Sequence, residues 1–241
     1  MKCCAIILAA GRGSRMGSLT NNLPKGLLGP PGETPIESQL LNLKKIGVDD
    51  IIIVTGYLAA YFDKLNKKTI FNNEWDTSNM VYSLSKAFNW ADKFDQILVS
   101  YSDIFFPMSA LENVMKQNAD ISILYDADWL RTWEARFEDP LTDAETFRID
   151  GAGNLVEIGQ KPSGKDIIEG QYMGLLNFSR LGWQTFFNFI FTLDNDQQKK
   201  IDMTSALDLF RKTNQSKINC VPFSGIWGEI DSRSDYELYF G

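Results

Sequence analysis

Short apolar segments alternate with helical periodicity from the first residues onward, and this alternation restricts the possible folds more than any other feature. Cys4–Ala9 is a continuous apolar run of the kind that forms a strand buried on both faces. Pro35 is placed to open a helix with one apolar face, and Gly47 is placed to end it. Further strands are predicted at Ile51–Val54, Thr69–Phe71, Ile97–Ser100 and Ile121–Tyr125, and further helices at Leu58–Lys67, Asn79–Ala91 and Ser109–Gln117. Strands and helices in alternation predict a mostly parallel sheet with helices on both faces.

The pattern changes after Asp126. Glu145–Asp150 and Leu155–Ile158 each alternate around a glycine-rich turn, which predicts a hairpin. Strands at Gln171–Phe178 and Lys217–Pro222 and helices at Leu181–Leu193, Met203–Lys212 and from Ser234 complete the prediction. We expect an α/β fold: one domain, residues 1–241, with a doubly wound, mostly parallel, Rossmann-like sheet and an inserted β-hairpin. Its halves are residues 1–125 and 126–241.

Composition excludes several kinds of site. The chain has no histidine, so Ser-His-Asp and Cys-His catalysis are excluded and a metal would need oxygen ligands. Three cysteines without C-x-x-C spacing are expected to be reduced core residues. The net charge of −7, without a basic stripe, argues against a nucleic-acid partner. No apolar run approaches the ~20 residues of a membrane span, so we expect a cytoplasmic protein.

A glycine-rich turn directly follows the first predicted strand, where a doubly wound sheet binds nucleotides. Gly11 and Gly13 allow close backbone approach, and successive N–H groups can bind phosphate oxygens. Arg12, Arg15 and Lys25 add cations for a triphosphate. The turn matches neither the dinucleotide fingerprint nor the Walker A loop, and glycine-rich turns after strands are also common without a ligand.

The segment from Leu8 to Met16, followed by Pro24-Lys25, resembles the L-x-A-G-x-G-x-R…P-K signature of the nucleotidyltransferases that activate sugar phosphates and small phospho-alcohols. The resemblance implies that a phosphate or phosphonate oxygen attacks the α-phosphorus of a nucleoside triphosphate and releases pyrophosphate. It assigns Arg15 and Lys25 to the triphosphate as catalytic cations. It also assigns the loop to nucleotide binding, namely Leu8, Ala9, Ala10, Gly11, Arg12 and Gly13.

A metal requirement points to carboxylates at strand ends. Asp103 follows the strand Ile97–Ser100 and resembles the family's magnesium ligand, although a solvated helix N-cap would also suit it. The C-terminal Glu229-Ile-Asp231-Ser resembles the E-I-D-S of the cytidylyltransferase branch. We therefore expect Mg²⁺ as the cofactor, held by Asp103, Asp231 and Glu229, with Glu229 also compatible with a purely structural role.

The segment Asn72–Leu84 resembles that of bacterial choline-phosphate, inositol-phosphate and phosphonate cytidylyltransferases. Asn79 and Ser83 lie four residues apart on one predicted helix face, where they could contact the base, while Asn79 also suits an N-cap. The remaining residues predicted to bind the nucleotide are Thr55, Gly56, Tyr57 and Ser102.

The acceptor region is predicted from aromatic and cationic residues after Asp126. Trp133 resembles the tryptophan that faces the quaternary ammonium in choline-phosphate enzymes, although packing is the more common role for a tryptophan near a hairpin. Arg131 and Arg136 could hold a phosphonate or a carboxylate bidentately. The strand from Gln171 resembles the family's acceptor strand and contributes Tyr172 and Gly174.

The sequence thus favours a magnesium-dependent cytidylyltransferase that joins CMP to a small phosphorylated or phosphonated amine or alcohol. Choline phosphate, 2-aminoethylphosphonate or an amino-acid phosphate would fit. Residues 1–125 would bind CTP, and residues 126–241 the acceptor. The alternatives are a hexose-1-phosphate nucleotidyltransferase using UTP, dTTP or GTP, and a catalytically silent nucleotide-binding module. The aromatic residues of Leu181–Leu193 are expected in the core or at a homodimer surface.

Overall fold

The computed structural model describes all 241 residues, Met1–Gly241. Its strands are β1 (Cys3–Ala9), β2 (Asp50–Thr55), β3 (Lys68–Phe71), β4 (Gln96–Tyr101), β5 (Ile104–Phe105), β6 (Ile121–Asp126), β7 (Phe147–Ile149), β8 (Leu155–Ile158), β9 (Gln171–Ser179), β10 (Ile218–Phe223) and β11 (Gly228–Glu229). Its α-helices are α1 (Pro35–Lys45), α2 (Met80–Ser85), α3 (Phe88–Ala91), α4 (Met108–Met115), α5 (Trp129–Arg136), α6 (Arg180–Ile190), α7 (Asn195–Lys200), α8 (Met203–Lys212) and α9 (Arg233–Phe240).

Seven strands form one sheet in the order β10-β6-β9-β4-β1-β2-β3. Every pair in it is parallel except the two made by β9, which runs antiparallel to both β4 and β6. Strands β7 and β8 form the predicted hairpin outside this sheet. The predicted α/β fold with a mostly parallel sheet is therefore confirmed, and strands from both predicted halves join the same sheet.

Each face of the sheet carries its own apolar core. Along β1, Ile6 and Leu8 pack into one core and Ile7 and Ala9 into the other, as expected for a strand covered on both sides. The aromatic residues of α6 belong mainly to the first core, where Trp183, Phe186 and Phe187 are fully buried, whereas 45% of Phe191 is exposed.

Local signals explain several helix boundaries. Helix α1 begins at Pro35 as predicted, because Thr34 and Glu37 form a reciprocal capping box around the first turn. Helix α8 begins at Met203 as predicted, and the Asp202 side chain accepts a hydrogen bond from the Ser205 N–H there. None of the helices combines the length and apolar character needed to cross a membrane.

Four features differ from the sequence prediction. The predicted helix Asn79–Ala91 is divided into α2 and α3, which lets Phe88 pack against Trp183 and Phe187. The predicted α-helix Leu58–Lys67 is a 3₁₀ helix, Ala59–Leu65, with left-handed residues at both flanks. Helices α5 and α7 were not predicted, and neither was the short pairing of β5 with β11. That pairing positions the site described next.

Candidate active site

A cavity of about 530 Å³ opens at the carboxyl ends of β1 and β4, the edge of the sheet where an open α/β fold binds its ligands. The glycine-rich turn after β1 and residues 101–103 at the end of β4 line it. The two segments are joined by a hydrogen bond from the Ser102 N–H to the Leu8 carbonyl oxygen, 3.1 Å long. Of the nucleotide residues predicted from the glycine-rich segment, Leu8, Ala10, Gly11 and Gly13 line the cavity.

The glycine-rich turn presents unpaired backbone donors. The N–H groups of Gly11, Arg12 and Gly13 make no hydrogen bond within the chain, so they are available to phosphate oxygens. Gly13 has a φ of +66°, and a Cβ there would lie 2.9 Å from the Lys25 Cδ. Glycine at this position therefore lets the Lys25 stem lie directly against the turn.

Four charged side chains form a continuous chain of ion pairs at this end of the cavity. Arg15 pairs with Asp231 at 2.5 Å, Asp231 pairs with Lys25 at 2.7 Å, and Lys25 also pairs with Asp103. Burial by itself lowers the pKa of Lys25, but the carboxylates of Asp103, Asp231 and Glu229 raise it by more, so the net pKa is raised. Lys25 is therefore a permanent cation between two carboxylates.

Asp103, Glu229 and Asp231 could together hold a metal ion, because each offers an oxygen and these oxygens lie within 4.8 Å of one another. The pairing of β5 with β11 brings them together: Glu229 lies opposite Ile104, and the Ile230 N–H donates to the Asp103 carbonyl oxygen at 3.0 Å. The Asp103 Oδ1 is buried and has no hydrogen-bond partner. An all-oxygen set with an unpaired buried carboxylate oxygen suits Mg²⁺.

The electrostatics of Glu229 agree with a shared cation site. Burial, followed by the nearby negative charge of Asp103, raises the pKa of Glu229 to about 7, although Arg136 and Lys25 act in the opposite direction. Arg15 also pairs with Asp231, and Arg136 lies 3.5 Å from Glu229, so Lys25 is the one cation paired with Asp103. A bound divalent cation would stabilise all three in their ionised form.

A second wall of the cavity is built on Trp75, which sequence analysis did not single out. Trp75 lines the cavity, while Tyr57 packs against it with ring centroids 5.3 Å apart. A Cβ on Gly56 would lie 2.4 Å from the Trp75 Cβ, so glycine is required for this contact. Gly56 and Tyr57 thus pack against Trp75. Thr55, which is buried, Gly56 and Tyr57 do not line the cavity themselves.

Asn79 and Ser83 both line this wall, but their side chains already have partners. The Asn79 Oδ1 accepts from the Met80 N–H at 2.7 Å and caps α2, and its Nδ2 donates to the Lys200 carbonyl oxygen at 3.2 Å. The Ser83 hydroxyl accepts from the buried Asn72 amide at 3.0 Å. The capping role that the sequence allowed for Asn79 is present.

The opposite end of the cavity is acidic, and this end was missed from the sequence. Asp143, Glu145 and Asp202 line it, together with Gln171 and Thr204, and no lysine or arginine does so. Burial raises the pKa of Glu145, and the carboxylates of Asp202 and Asp143 raise it further, against a hydrogen bond from Thr204. Asp202 lies more than fifty residues after Asp143 and Glu145 in the sequence, so no local motif marks the three as one cluster.

Aromatic side chains also line the cavity. Trp133 and Tyr172, both predicted at the acceptor, line the cavity, and the Trp133 indole N–H donates to the Asp143 carboxylate at 3.1 Å. Tyr172 meets Tyr101 edge to face, and its hydroxyl has no hydrogen-bond partner. Gly174 lies outside the lining, at φ +74°, where a Cβ would lie 2.7 Å from the Tyr101 ring. Its role is to make room for that ring.

The two arginines predicted at the acceptor do not reach the cavity. Arg131 is exposed and borders a separate shallow depression formed by residues 127–131. Arg136 is buried in an ion pair with Asp235, with Nε–Oδ1 and Nη2–Oδ2 distances of 2.9 and 3.2 Å. Its guanidinium lies 5.3 Å from the Trp133 ring centroid. Because one face of Trp133 is covered in this way, that face is not open to an acceptor ammonium.

The other predicted residues can be placed directly. Ser102, Arg15 and Lys25 line the cavity, as do Asp103, Glu229 and Asp231. Ala9 belongs to the apolar core behind the glycine-rich turn, and Arg12 lies over the Tyr57 ring, 5.7 Å from its centroid. Neither lines the cavity.

The chain matches one family model and several characterised relatives. Residues 5–141 match the family model for the MobA-like NTP transferase domain. The CTP:phosphoglutamine cytidylyltransferase of Campylobacter jejuni is 33% identical over 97% of this chain and 98% of its own.

Two solved structures have similar folds. The inositol-1-phosphate CTP transferase from T. maritima superposes with a TM-score of 0.76 at 20% identity, covering 99% of this chain and 94% of the other. The CTP:phosphocholine cytidylyltransferase of Streptococcus pneumoniae superposes with a TM-score of 0.72 at 22% identity, covering 98% and 97%.

Proposed function

This chain belongs to the MobA-like NTP transferase family and is a nucleotidyltransferase, and on that premise we propose that it transfers CMP from CTP to a small phosphate or phosphonate that also carries an ammonium group. The similar proteins described above are all named as CTP-dependent enzymes. The segment Asn72–Leu84, which resembles that of cytidylyltransferases, lies along the same cavity.

The charged end of the cavity supports the transfer step. An ionised oxygen of the acceptor forms a bond to the α-phosphorus of CTP, the bond from that phosphorus to the β-bridging oxygen breaks, and pyrophosphate leaves. No side chain has to remove a proton, which agrees with the absence of histidine. Arg15, Lys25 and the unpaired N–H groups of the glycine-rich turn would orient the triphosphate and neutralise it.

A divalent cation fits the same end, and we propose Mg²⁺. Asp103, Asp231 and Glu229 would hold it, and it would supply charge neutralisation at the phosphate oxygens. The unpaired Asp103 Oδ1 is the observation that supports this assignment.

The proposed ammonium group of the acceptor follows from the acidic end of the cavity. Asp143, Glu145 and Asp202 present negative charge to the cavity without a lysine or arginine in the lining there. These half-buried carboxylates have hydrogen-bond donors beside them but no cation, and an ammonium bound there would form a charge-assisted hydrogen bond. An acceptor with its anionic group toward Lys25 and an ammonium toward Glu145 therefore complements both ends. Amine-bearing phosphates and phosphonates, including amino-acid phosphates, belong to this class.

A matched pair of acceptors tests the proposal. Pyrophosphate release is measured with CTP, UTP, dTTP and GTP against 2-aminoethylphosphonate, 2-hydroxyethylphosphonate and glucose 1-phosphate. We expect release with CTP and 2-aminoethylphosphonate, and a kcat/KM at least about tenfold lower for the hydroxyl analogue, since a charged hydrogen bond contributes about 1.5–3 kcal/mol. Equal use of the amine and hydroxyl analogues would contradict the acceptor class. A preference for UTP or dTTP with glucose 1-phosphate would contradict the cytidylyl assignment.

A further inference from the structure

Two chain segments meet across the rim of the cavity. The loop Asn72–Asn79 contributes Trp75, Ser78 and Asn79 to the cavity wall built on Trp75. The segment that begins with α7 and continues through Thr204 contributes Asp202 and Thr204 to the acidic end. The distance in sequence between them exceeds a hundred residues, so contacts between side chains and backbone groups must fix their relative position.

Polar contacts join the two segments at the rim, while Met203 in the second segment is fully buried in the core. The Asn79 N–H donates to the Lys199 carbonyl oxygen at 2.6 Å. The Lys199 ammonium pairs with the Glu74 carboxylate, which also accepts from the Tyr82 hydroxyl. None of the residues of α7 is buried, and its other side-chain hydrogen bonds remain within residues 193–200. Glu74 is therefore the one side chain outside α7 and its flanking residues that holds it by charge.

The loop that carries Glu74 is itself firmly held. The fully buried Asn72 donates through its amide to Ser78 and Ser83, at 3.0 Å each, and accepts from the Glu74 N–H at 3.0 Å. These hydrogen bonds fix the backbone of the loop at Glu74.

We propose that Glu74 and Lys199 are positioning residues, whose ion pair sets the acceptor-binding segment Asp202–Thr204 against the loop that forms the nucleotide wall. This inference rests on the proposed function only in taking the acidic end as the acceptor site. The Lys199 and Glu74 side chains are 26% and 31% exposed, and exposed ion pairs contribute little to folding stability. Loss of the pair should therefore loosen α7 without unfolding the chain.

The adjacent lysine provides a matched control. Lys200 pairs with Asp196 within α7 and makes no side-chain contact with the loop. Lys199→Gln and Lys200→Gln each remove one positive charge from the same helix, but only the first breaks the link to Glu74. Glu74→Gln breaks it from the other side.

Two measurements decide the proposal. In hydrogen–deuterium exchange, Lys199→Gln and Glu74→Gln should speed exchange in peptides covering residues 195–204, while Lys200→Gln, which breaks only the pair with Asp196 within α7, has a smaller effect. In kinetics with 2-aminoethylphosphonate, the first two variants should raise the acceptor KM about two- to fivefold, the range set by one exposed ion pair, with kcat and the KM for CTP unchanged. The double variant should be no worse than either single one.

The contrary outcomes are equally specific. Exchange and acceptor KM that are the same in Lys199→Gln and Lys200→Gln would overturn the inference. So would an equal rise in the KM values of both substrates with a lowered Tm, which would indicate a general structural role. If the wild type used no acceptor, the proposed function would fail, and the exchange experiment would still decide whether Glu74 positions the segment.

Discussion

Replacing Arg136 by methionine tests the structural role that the buried ion pair gives this residue. The Arg136 and Asp235 side chains are each 1% exposed, and the guanidinium binds the carboxylate through two nitrogens. Removing one partner of a buried pair costs about 3–5 kcal/mol because the other charge stays buried. Asp235 would keep three donors, the N–H groups of Asp231 and Ser232 and the Ser232 hydroxyl. We therefore expect the lower end, about 3 kcal/mol.

In a chain of this size that loss corresponds to a Tm about 6–12 °C lower, at about 2–4 °C per kcal/mol. Differential scanning calorimetry measures it, with Arg131→Met as the control because Arg131 lies on the same helix, exposed and without an ion pair. The acceptor KM of Arg136→Met, measured below its Tm, should stay close to that of the wild type. A normal Tm with a strongly raised acceptor KM would show that Arg136 binds the acceptor, as sequence analysis suggests, and would refute the structural assignment.

The pH dependence of that difference follows from Asp235. Burial alone would raise the pKa of Asp235, but the Arg136 guanidinium and the Ser232 hydroxyl lower it by more, so it is depressed in the folded state. A depressed carboxyl pKa contributes stability above the unfolded value of about 3.9 and loses it as the pH falls through the folded pKa. The part of the stability gap between wild type and Arg136→Met that comes from Asp235 should therefore be full at neutral pH and shrink as the pH falls through the depressed pKa of Asp235. A gap independent of pH would contradict this.

Three further predictions concern the cavity. In the absence of nucleotide, Lys25→Met should bind Mn²⁺ more tightly than the wild type, because the ammonium between Asp103 and Asp231 competes with a metal ion. The same variant should bind CTP more weakly. Weaker Mn²⁺ binding in a titration followed by electron paramagnetic resonance would contradict this prediction. Asp103→Asn should nearly abolish turnover with the Tm retained, and a folded, active variant would remove Asp103 from the proposed metal site. Glu145→Gln should raise the Tm at neutral pH, and this difference in Tm should disappear as the pH falls through the raised pKa of Glu145. The variant should also raise the acceptor KM. An unchanged Tm and KM would exclude a role for the charge of Glu145.

The fold was predictable because burial gives short stretches of the sequence an apolar pattern that marks them as strands. Every residue of β1 from Cys4 onward is buried, and the sequence there is continuously apolar. Helix α5 escaped prediction because Arg131 and the acidic residues around it obscure its apolar face, which packs Trp129 and Trp133 inward. Helix α7 has no buried residue at all, so no periodicity could mark it.

The residues of the candidate site also fall into those that local sequence motifs predict and those that only the fold brings together. The residues predicted from local motifs, such as Gly13, Lys25 and Asp103, do line one cavity. The acidic end could not be found, because Glu145 and Asp202 meet only through tertiary packing. The sequence could not show whether Arg136 is a buried structural cation or a ligand of the acceptor. Its ion-pair partner Asp235 lies 99 residues away.

In the proposed reaction an acceptor oxygen attacks the α-phosphorus of CTP directly. The fate of labelled acceptor oxygens is the sharpest test of that step. The enzyme is supplied with CTP, Mg²⁺ and 2-aminoethylphosphonate carrying ¹⁸O in its phosphonate oxygens, and the products are weighed by mass spectrometry. We expect a CMP conjugate that retains all the label, with unlabelled pyrophosphate. Label in the pyrophosphate, or release of free CMP without a conjugate, would contradict it.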